Sequence, residues 1–334
     1  MQKDEMLRVE NLIKHFPMRR SLVETILARG KRFVRAVDGV SFSLQSGEIL
    51  GLVGESGCGK STLSRTILRL VEPTDGRVYC QGLEVTSLHR SEFKELRRRM
   101  QMIFQDPFGS LNPRRTVADT LRQTIRIHNL TPSKSEETSV IEKTLEEVGL
   151  RPIEEFWDKY PALLSGGQLQ RVSIGRVLIL QPSLIIADEA VSMLDVSVRI
   201  GILNLLSSMR TRFGISFIYI THDLVTARYI CDRIAIMYLG KIVEIGETEE
   251  ILGKAFHPYT RALIAAVPVP DPTAEVPDVP IKGYVPVSSD ETLRGCPFCP
   301  RCPDAAEHCR EKAPELVQVG DDHYAACFKT AKTF

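Results

Sequence analysis

An α/β fold built on a parallel sheet is predicted by three observations. A short apolar run at residues 48–53 (EILGLV) ends in a glycine-rich loop, and Leu63, Ile67 and Leu70 then recur at helical spacing. Two further apolar runs, residues 184–187 (LIIA) and 217–220 (FIYI), are continuous, as in parallel strands covered on both faces. Both stop at polar residues. Ligands of open α/β sheets gather at the carboxyl ends of strands, so Asp188, Glu189 and His222 stand where chemistry is expected.

The other elements follow in order. Residues 7–16 (LRVENLIKHF) and 37–44 (VDGVSFSL) alternate as strands of a smaller antiparallel sheet. Residues from about 115 to 160 are rich in Leu, Glu and Lys with helical periodicity, which predicts a helical insertion. Residues 234–246 (IAIMYLGKIVEIG) read as two strands turning near Gly240, followed by a short helix. Five prolines in residues 267–280 make a stiff linker, and a separate Cys-bearing tail runs on to Phe334.

Composition narrows the function. Hydrophobic residues at 43% and charged residues at 25% are ordinary for a globular protein, and 43 Lys plus Arg against 42 Asp plus Glu give no global field, which disfavours nucleic acid as the partner. The start, MQKDEMLRVE, lacks a signal-peptide core, and no stretch approaches the roughly 18 uncharged apolar residues of a membrane span. A cytoplasmic protein is expected, reaching a membrane by docking onto integral partners. Of eight cysteines, five crowd into residues 296–327, whereas Cys58, Cys80 and Cys231 read as small buried hydrophobes.

Residues 54–61 (Gly54, Glu55, Ser56, Gly57, Cys58, Gly59, Lys60, Ser61) fit G-x-x-x-x-G-K-[ST], whose glycines let backbone N–H groups wrap phosphate oxygens at a helix N-terminus. Lys60 neutralises β- and γ-phosphate charge, and Ser61 offers a hydroxyl to Mg²⁺. Asp188 and Glu189 suit the Mg²⁺ shell and the polarising of an attacking water, and His222 can hold the γ-phosphate. Residues 164–168 (Leu164, Ser165, Gly166, Gly167, Gln168) open a helix and form a second anion site. One nucleotide does not need two such sites on one chain, so the second is expected to face the nucleotide of a partner subunit.

These motifs resemble those of an ATP-binding subunit of the dipeptide, oligopeptide and nickel importer family of ABC transporters, over nearly the whole length. FQDPFGSLNPRRTV around Gln105, DEAVSMLDVS from Asp188 to Ser197 and HPYTRALIAAVP from His257 to Pro268 resemble that subfamily, and HFPMRR with VRAVDGVSF resembles its F-type ATPase. The resemblance implies an ABC ATPase fold: a RecA-like core, an antiparallel β subdomain, a helical signature subdomain and a small Cys-rich tail. It sets boundaries at 1–266 for the nucleotide-binding domain, with the helical subdomain at about 106–163, 267–282 for the linker and 283–334 for the extension.

It also implies roles. Gln105 would contact Mg²⁺ and the lytic water, Asp195 would cross the dimer interface, Phe16 would stack on adenine, and Thr62 would join the loop around ATP. The expected partners are two permease subunits, a homologous D-type ATPase and an extracytoplasmic binding protein, at the cytoplasmic face of the membrane. Leu169, Gly175, Ala190 and Met193 depart from the usual pattern. A soluble ABC ATPase of DNA repair or translation is the competing class, and a metal-cluster sensor with a vestigial nucleotide fold is a third.

Cys296, Cys299 and Cys302 lie at C-x2-C-x2-C spacing with Cys309 and Cys327 after them, which suits an iron-sulfur cluster, a structural zinc or free buried thiols. The tail resembles the family's G-C-x-F-x-x-R-C, matching Cys296 and Cys302. The resemblance implies Cys296, Cys302, Cys309 and Cys327 as ligands of a [4Fe-4S] cluster.

Overall fold

The computed structural model describes residues 4–18, 33–267, 281 and 295–329. The chain divides into two compact units, residues 1–6, 45–48 and 88–220 forming one and residues 7–44, 49–87 and 221–334 the other.

The first unit is built on three parallel strands, β6 (Met100–Ile103), β7 (Leu184–Asp188) and β8 (Ser216–Thr221), with Met102 opposite Ile186 and Ile186 opposite Ile218. Every residue of β7 and β8 is buried, which is why their sequences are continuously apolar. Between β6 and β7 come helices Pro107–Ser110, Val117–Ile127, Lys134–Glu147 and Ile153–Trp157. Leu121, Ile125, Ile141 and Leu145 recur at helical spacing on the middle two and are buried. Thr116 and Ser133 cap these two helices by accepting from the backbone N–H of Asp119 and Glu136. The longest helix among the described residues, Val196–Phe213, ends at Gly214, whose φ of 67° takes the left-handed conformation that closes a helix.

The second unit holds two sheets. In one, β1 (Glu5–Pro17) lies between β2 (Phe33–Gln45) and β4 (Asp75–Cys80), with β5 (Leu83–Glu84) at the edge. Val9 faces Val78 and Leu7 faces Cys80 in the antiparallel register, all four buried. In the other, β3 (Ile49–Val53) runs parallel to β9 (Arg233–Tyr238), which turns through Leu239 and Gly240 into β10 (Lys241–Glu247). The predicted turn at Gly240 is therefore present. Cys58, Cys80 and Cys231 are buried, as read.

The tail departs from the sequence reading. Far from being separate, its described part, residues 295–329, belongs to the second unit: β11 (Val317–Gly320) and β12 (His323–Ala325) form a hairpin, and β12 pairs with β10, Glu244 opposite Ala325. A fully buried carboxylate anchors this edge. Glu244 accepts from the backbone N–H of Phe256 (2.7 Å) and His257 (3.0 Å), and His323 Nε2 lies 2.8 Å away. A buried charge persists only with such partners. The Pro-rich linker at 268–280 and the tail segments 282–294 and 330–334 lie outside the described residues.

Candidate functional site

In the second unit, residues 54–59 leave β3 and enter helix Lys60–Ile67. Gly59 is the N-cap with φ 109°, and a Cβ there would run into the Ala36 carbonyl; one at Gly54 would run into the Met237 carbonyl. The glycines are thus required by close backbone approach as well as by the turn. Lys60 is buried, and its Nζ donates to the carbonyls of Gly54 (2.6 Å) and Glu55 (2.9 Å), so the ammonium sits inside the loop. Ser61 and Thr62 occupy the first helical turn, partly exposed. His222 is exposed just beyond β8, ahead of helix Leu224–Ile230. Phe16, on β1, is exposed with Lys14 Nζ 4.9 Å from its ring centroid.

In the first unit, Asp188 is buried at the end of β7, and Glu189 follows with φ 47°. That left-handed residue turns the chain away from the strand, and its N–H donates to the Ile220 carbonyl of β8 at 3.0 Å. Gln105, beyond β6, donates from Nε2 to Glu189 Oε2 at 2.9 Å. Two residues 84 positions apart are joined because β6 and β7 are neighbours in the sheet.

The signature residues form a capping box at helix Gly166–Leu178. Ser165 Oγ accepts from the Gln168 N–H (3.3 Å) and Gln168 Oε1 accepts from the Ser165 N–H (3.0 Å). A Cβ at Gly167 would strike the Val198 side chain, so that glycine is also a packing residue. Asp195 caps the next helix: the Val198 N–H bond and the Ser197 hydroxyl hold its carboxyl below the usual range. Three of the four departures from the resembled pattern lie in the interior. Leu169 and Ala190 are buried, and a Cβ at Gly175 would lie 3.2 Å from Thr144 Cγ2. Met193 is exposed, and nothing in the structure explains it.

All five tail cysteines line one cavity of about 160 Å³ together with His257 and His308. Burial pushes the Cys296 thiol up to about 12 and raises Cys302, which opposes the thiolate that a metal needs. Among the described residues no group of three or more His, Cys, Asp or Glu is arranged to hold a metal ion. As placed, the thiols supply the donor chemistry of a cluster without its arrangement, so the expected [4Fe-4S] site is not supported.

Sequence reasoning assigned no role to Tyr259 and Arg301, which bond the loop residue Glu55, or to Phe298, which packs on Tyr259. Their signal was present in HPYTRALIAAVP and G-C-x-F-x-x-R-C, but neither motif names its partner.

Comparison with known proteins decides the family. The ABC transporter family matches residues 37–192, and the oligopeptide/dipeptide transporter C-terminal region matches residues 243–309. A probable peptide ABC transporter ATP-binding protein of Sinorhizobium fredii, y4tS, is 47% identical over 97% of this chain and 90% of its own. The chain belongs to the ATP-binding subunits of peptide and oligopeptide ABC transporters. Another such subunit, the oligopeptide transport ATP-binding protein AppF of Bacillus subtilis, is 42% identical over 97% of each chain. Among solved structures, the dimeric ATP-binding cassette MJ0796 bound to ADP and Pi is similar at a TM-score of 0.63 and 28% identity, covering 73% of this chain and 99% of that one. The CbiO1 protein of Clostridium perfringens is similar at 0.63 and 27%, covering 75% and 92%. Among the described residues no helix is long and apolar enough to cross a membrane.

Proposed function

We propose that this chain hydrolyses ATP to power the import of peptides through an ABC transporter. The observation that carries the reading is the chain-long likeness to peptide-transport ATP-binding proteins, which extends through the C-terminal region as well as the nucleotide motifs.

The residue roles are those that the motifs and the family resemblance imply. The loop N–H groups, Lys60 and Ser61 bind the triphosphate, Thr62 joins them, and Phe16 stacks on the base. Mg²⁺, when bound to Ser61, Asp188 and Gln105, supplies charge neutralisation of the phosphate oxygens. Glu189 orients water, with Gln105 fixing its carboxylate, and His222 holds the γ-phosphate. Ser165, Gly166, Gly167 and Gln168 present a helix N-terminus to ATP on a partner ATPase, with Asp195 at the same interface. Catalysis is then positioning and charge stabilisation, half of each site being borrowed.

The partners that complete the reading are two permease subunits, a D-type ATPase and an extracytoplasmic binding protein, with this chain at the cytoplasmic face. Its proposed divisions are a nucleotide-binding domain at 1–266 with a helical subdomain at about 106–163, a linker at 267–282 and an extension at 283–334, the described part of which shares a compact unit with the phosphate loop. Cys296, Cys302, Cys309 and Cys327 share one cavity without the arrangement of metal ligands, so no cluster enters this reading; iron and sulfide, or zinc, found in anaerobically purified protein would return it.

ATPase activity of the purified chain, alone and in proteoliposomes with its co-purifying membrane subunits and binding protein, tests the importer reading. Stimulation by loaded binding protein is expected. Strong hydrolysis indifferent to those partners would point to the soluble ABC class instead.

A further inference from the structure

Glu55 is the second residue of the phosphate loop, and all of its polar groups are engaged within the second unit. Its N–H donates to the Tyr259 hydroxyl at 2.9 Å, and its carbonyl accepts from Lys60 Nζ at 2.9 Å. Its carboxylate takes both arms of Arg301: Nη1 donates to Oε2 at 2.9 Å and Nη2 to Oε1 at 3.1 Å. Such fork-to-fork pairing fixes orientation as well as charge. Arg301 comes from the Cys-bearing extension, 246 residues along the chain.

The guanidinium is itself held. Its side chain is 8% exposed, Nη1 reaches the Tyr238 hydroxyl at 3.5 Å, and its backbone N–H donates to the Phe298 carbonyl at 2.9 Å. Phe298, 1% exposed, packs edge-on against Tyr238 (5.3 Å between centroids) and at a 53° tilt against Tyr259 (5.4 Å). Burial by itself would lower the Arg301 pKa, but the bonds to Glu55 and Tyr238 outweigh it and raise the pKa, so the guanidinium keeps its charge. The extension therefore meets the loop through a rigid aromatic seat and a part-buried ionic fork.

We propose that Arg301 is a positioning residue for the phosphate loop, fixing Glu55 and through its carbonyl the Lys60 ammonium, so that the extension sets the affinity for a nucleoside triphosphate. The inference rests on the reading of residues 54–61 as the ATP loop. Removing the guanidinium leaves the partly exposed Glu55 carboxylate beside the loop without its counter-charge, and its repulsion of phosphate is then unmasked. Lys at this position keeps the charge but loses the fork, so it restores only part of the effect.

The test is MgATP binding by the purified full-length chain, read with a fluorescent ATP analogue, for wild type, Arg301→Ala, Arg301→Lys, Glu55→Gln, the Glu55→Gln/Arg301→Ala double variant and Lys60→Ala. Thermal unfolding without nucleotide is measured beside it. Arg301→Ala is expected to weaken binding about tenfold or more, Arg301→Lys by less, and the double variant by less than the product of its two parents. Binding within about twofold of wild type in Arg301→Ala, or losses that multiply in the double variant, overturns the inference. A loss of affinity that only tracks a fall in unfolding temperature across the set does the same. Should Arg301→Ala not fold, Arg301→Lys and Glu55→Gln are held to the same criteria. Wild type that binds no better than Lys60→Ala overturns the reading of the loop itself, and this inference with it.

Discussion

Gln105 and Glu189 are joined by a hydrogen bond of 2.9 Å from the amide Nε2 to the carboxylate Oε2. A bond of that direction leaves the carboxylate its acceptor role and restricts its rotamers. The backbone of Glu189 is turned away from β7 in a left-handed conformation, with the Ser192 hydroxyl donating to its carbonyl at 3.0 Å. A group with so fixed a position is suited to orient one water molecule.

Glu189→Gln should therefore bind MgATP as wild type does and lose hydrolysis by about 10²- to 10⁴-fold, the usual worth of a positioned acid-base group. Steady-state ATPase assays beside nucleotide-binding titrations check this. Turnover near the wild-type rate would remove Glu189 from the role assigned to it.

Gly57 and Gly59 both have positive φ, 82° and 109°, but differ in surroundings: nothing lies within 4 Å of a Cβ at Gly57, whereas one at Gly59 meets the Ala36 carbonyl and Met237 Cε. Gly57→Ala should cost about 1 kcal/mol of stability from backbone strain alone. Gly59→Ala should cost about 3 kcal/mol or more and lose ATP binding, because backbone cannot step aside as a side chain can. Denaturant midpoints and nucleotide titrations of both variants give the comparison; equal costs would contradict it.

Ser165 serves its own helix as a cap, and on the proposed function it also faces a partner's ATP. Ser165→Ala should lower stability by about 1 kcal/mol, the ordinary loss for a missing cap. In a Glu189→Gln background it should also reduce ATP-induced association with a partner ATPase, measured by light scattering. Destabilisation with unchanged association would leave Ser165 a cap and nothing more.

His257 is fully buried, and burial lowers its pKa from 6.5 to about 4. Its Nδ1 accepts the Tyr259 N–H at 3.1 Å, a bond that protonation removes. Because the unfolded chain binds the proton more readily, stability is fully present above pH 6.5 and falls as pH drops toward 4, by a total on the order of 3 kcal/mol. His257→Asn keeps a capping side chain without titrating. Chemical denaturation of both proteins from pH 7.5 to 4 should show a steeper loss in wild type, after the carboxylate contributions common to both cancel.

The nucleotide motifs were legible in the sequence because each is local: a strand, a turn that only glycine can make, and a helix N-terminus follow one another within residues 48–67, and the signature residues bond to each other three positions apart. The buried strands were legible for a similar reason, since a strand covered on both faces must be continuously apolar. What surrounds Glu55 was not. Its partners Tyr259 and Arg301 lie 204 and 246 residues away, and nothing in their neighbours' spacing says which side chain they will meet. Nor could the sequence attach the tail. A cysteine-rich stretch after a run of prolines reads as a separate body, yet β12 finds an open edge at β10, and the buried Glu244 carboxylate draws in His323. Pairing of strands and of buried charges depends on where the whole chain has folded, so the tertiary structure alone decided that the extension reaches the phosphate loop.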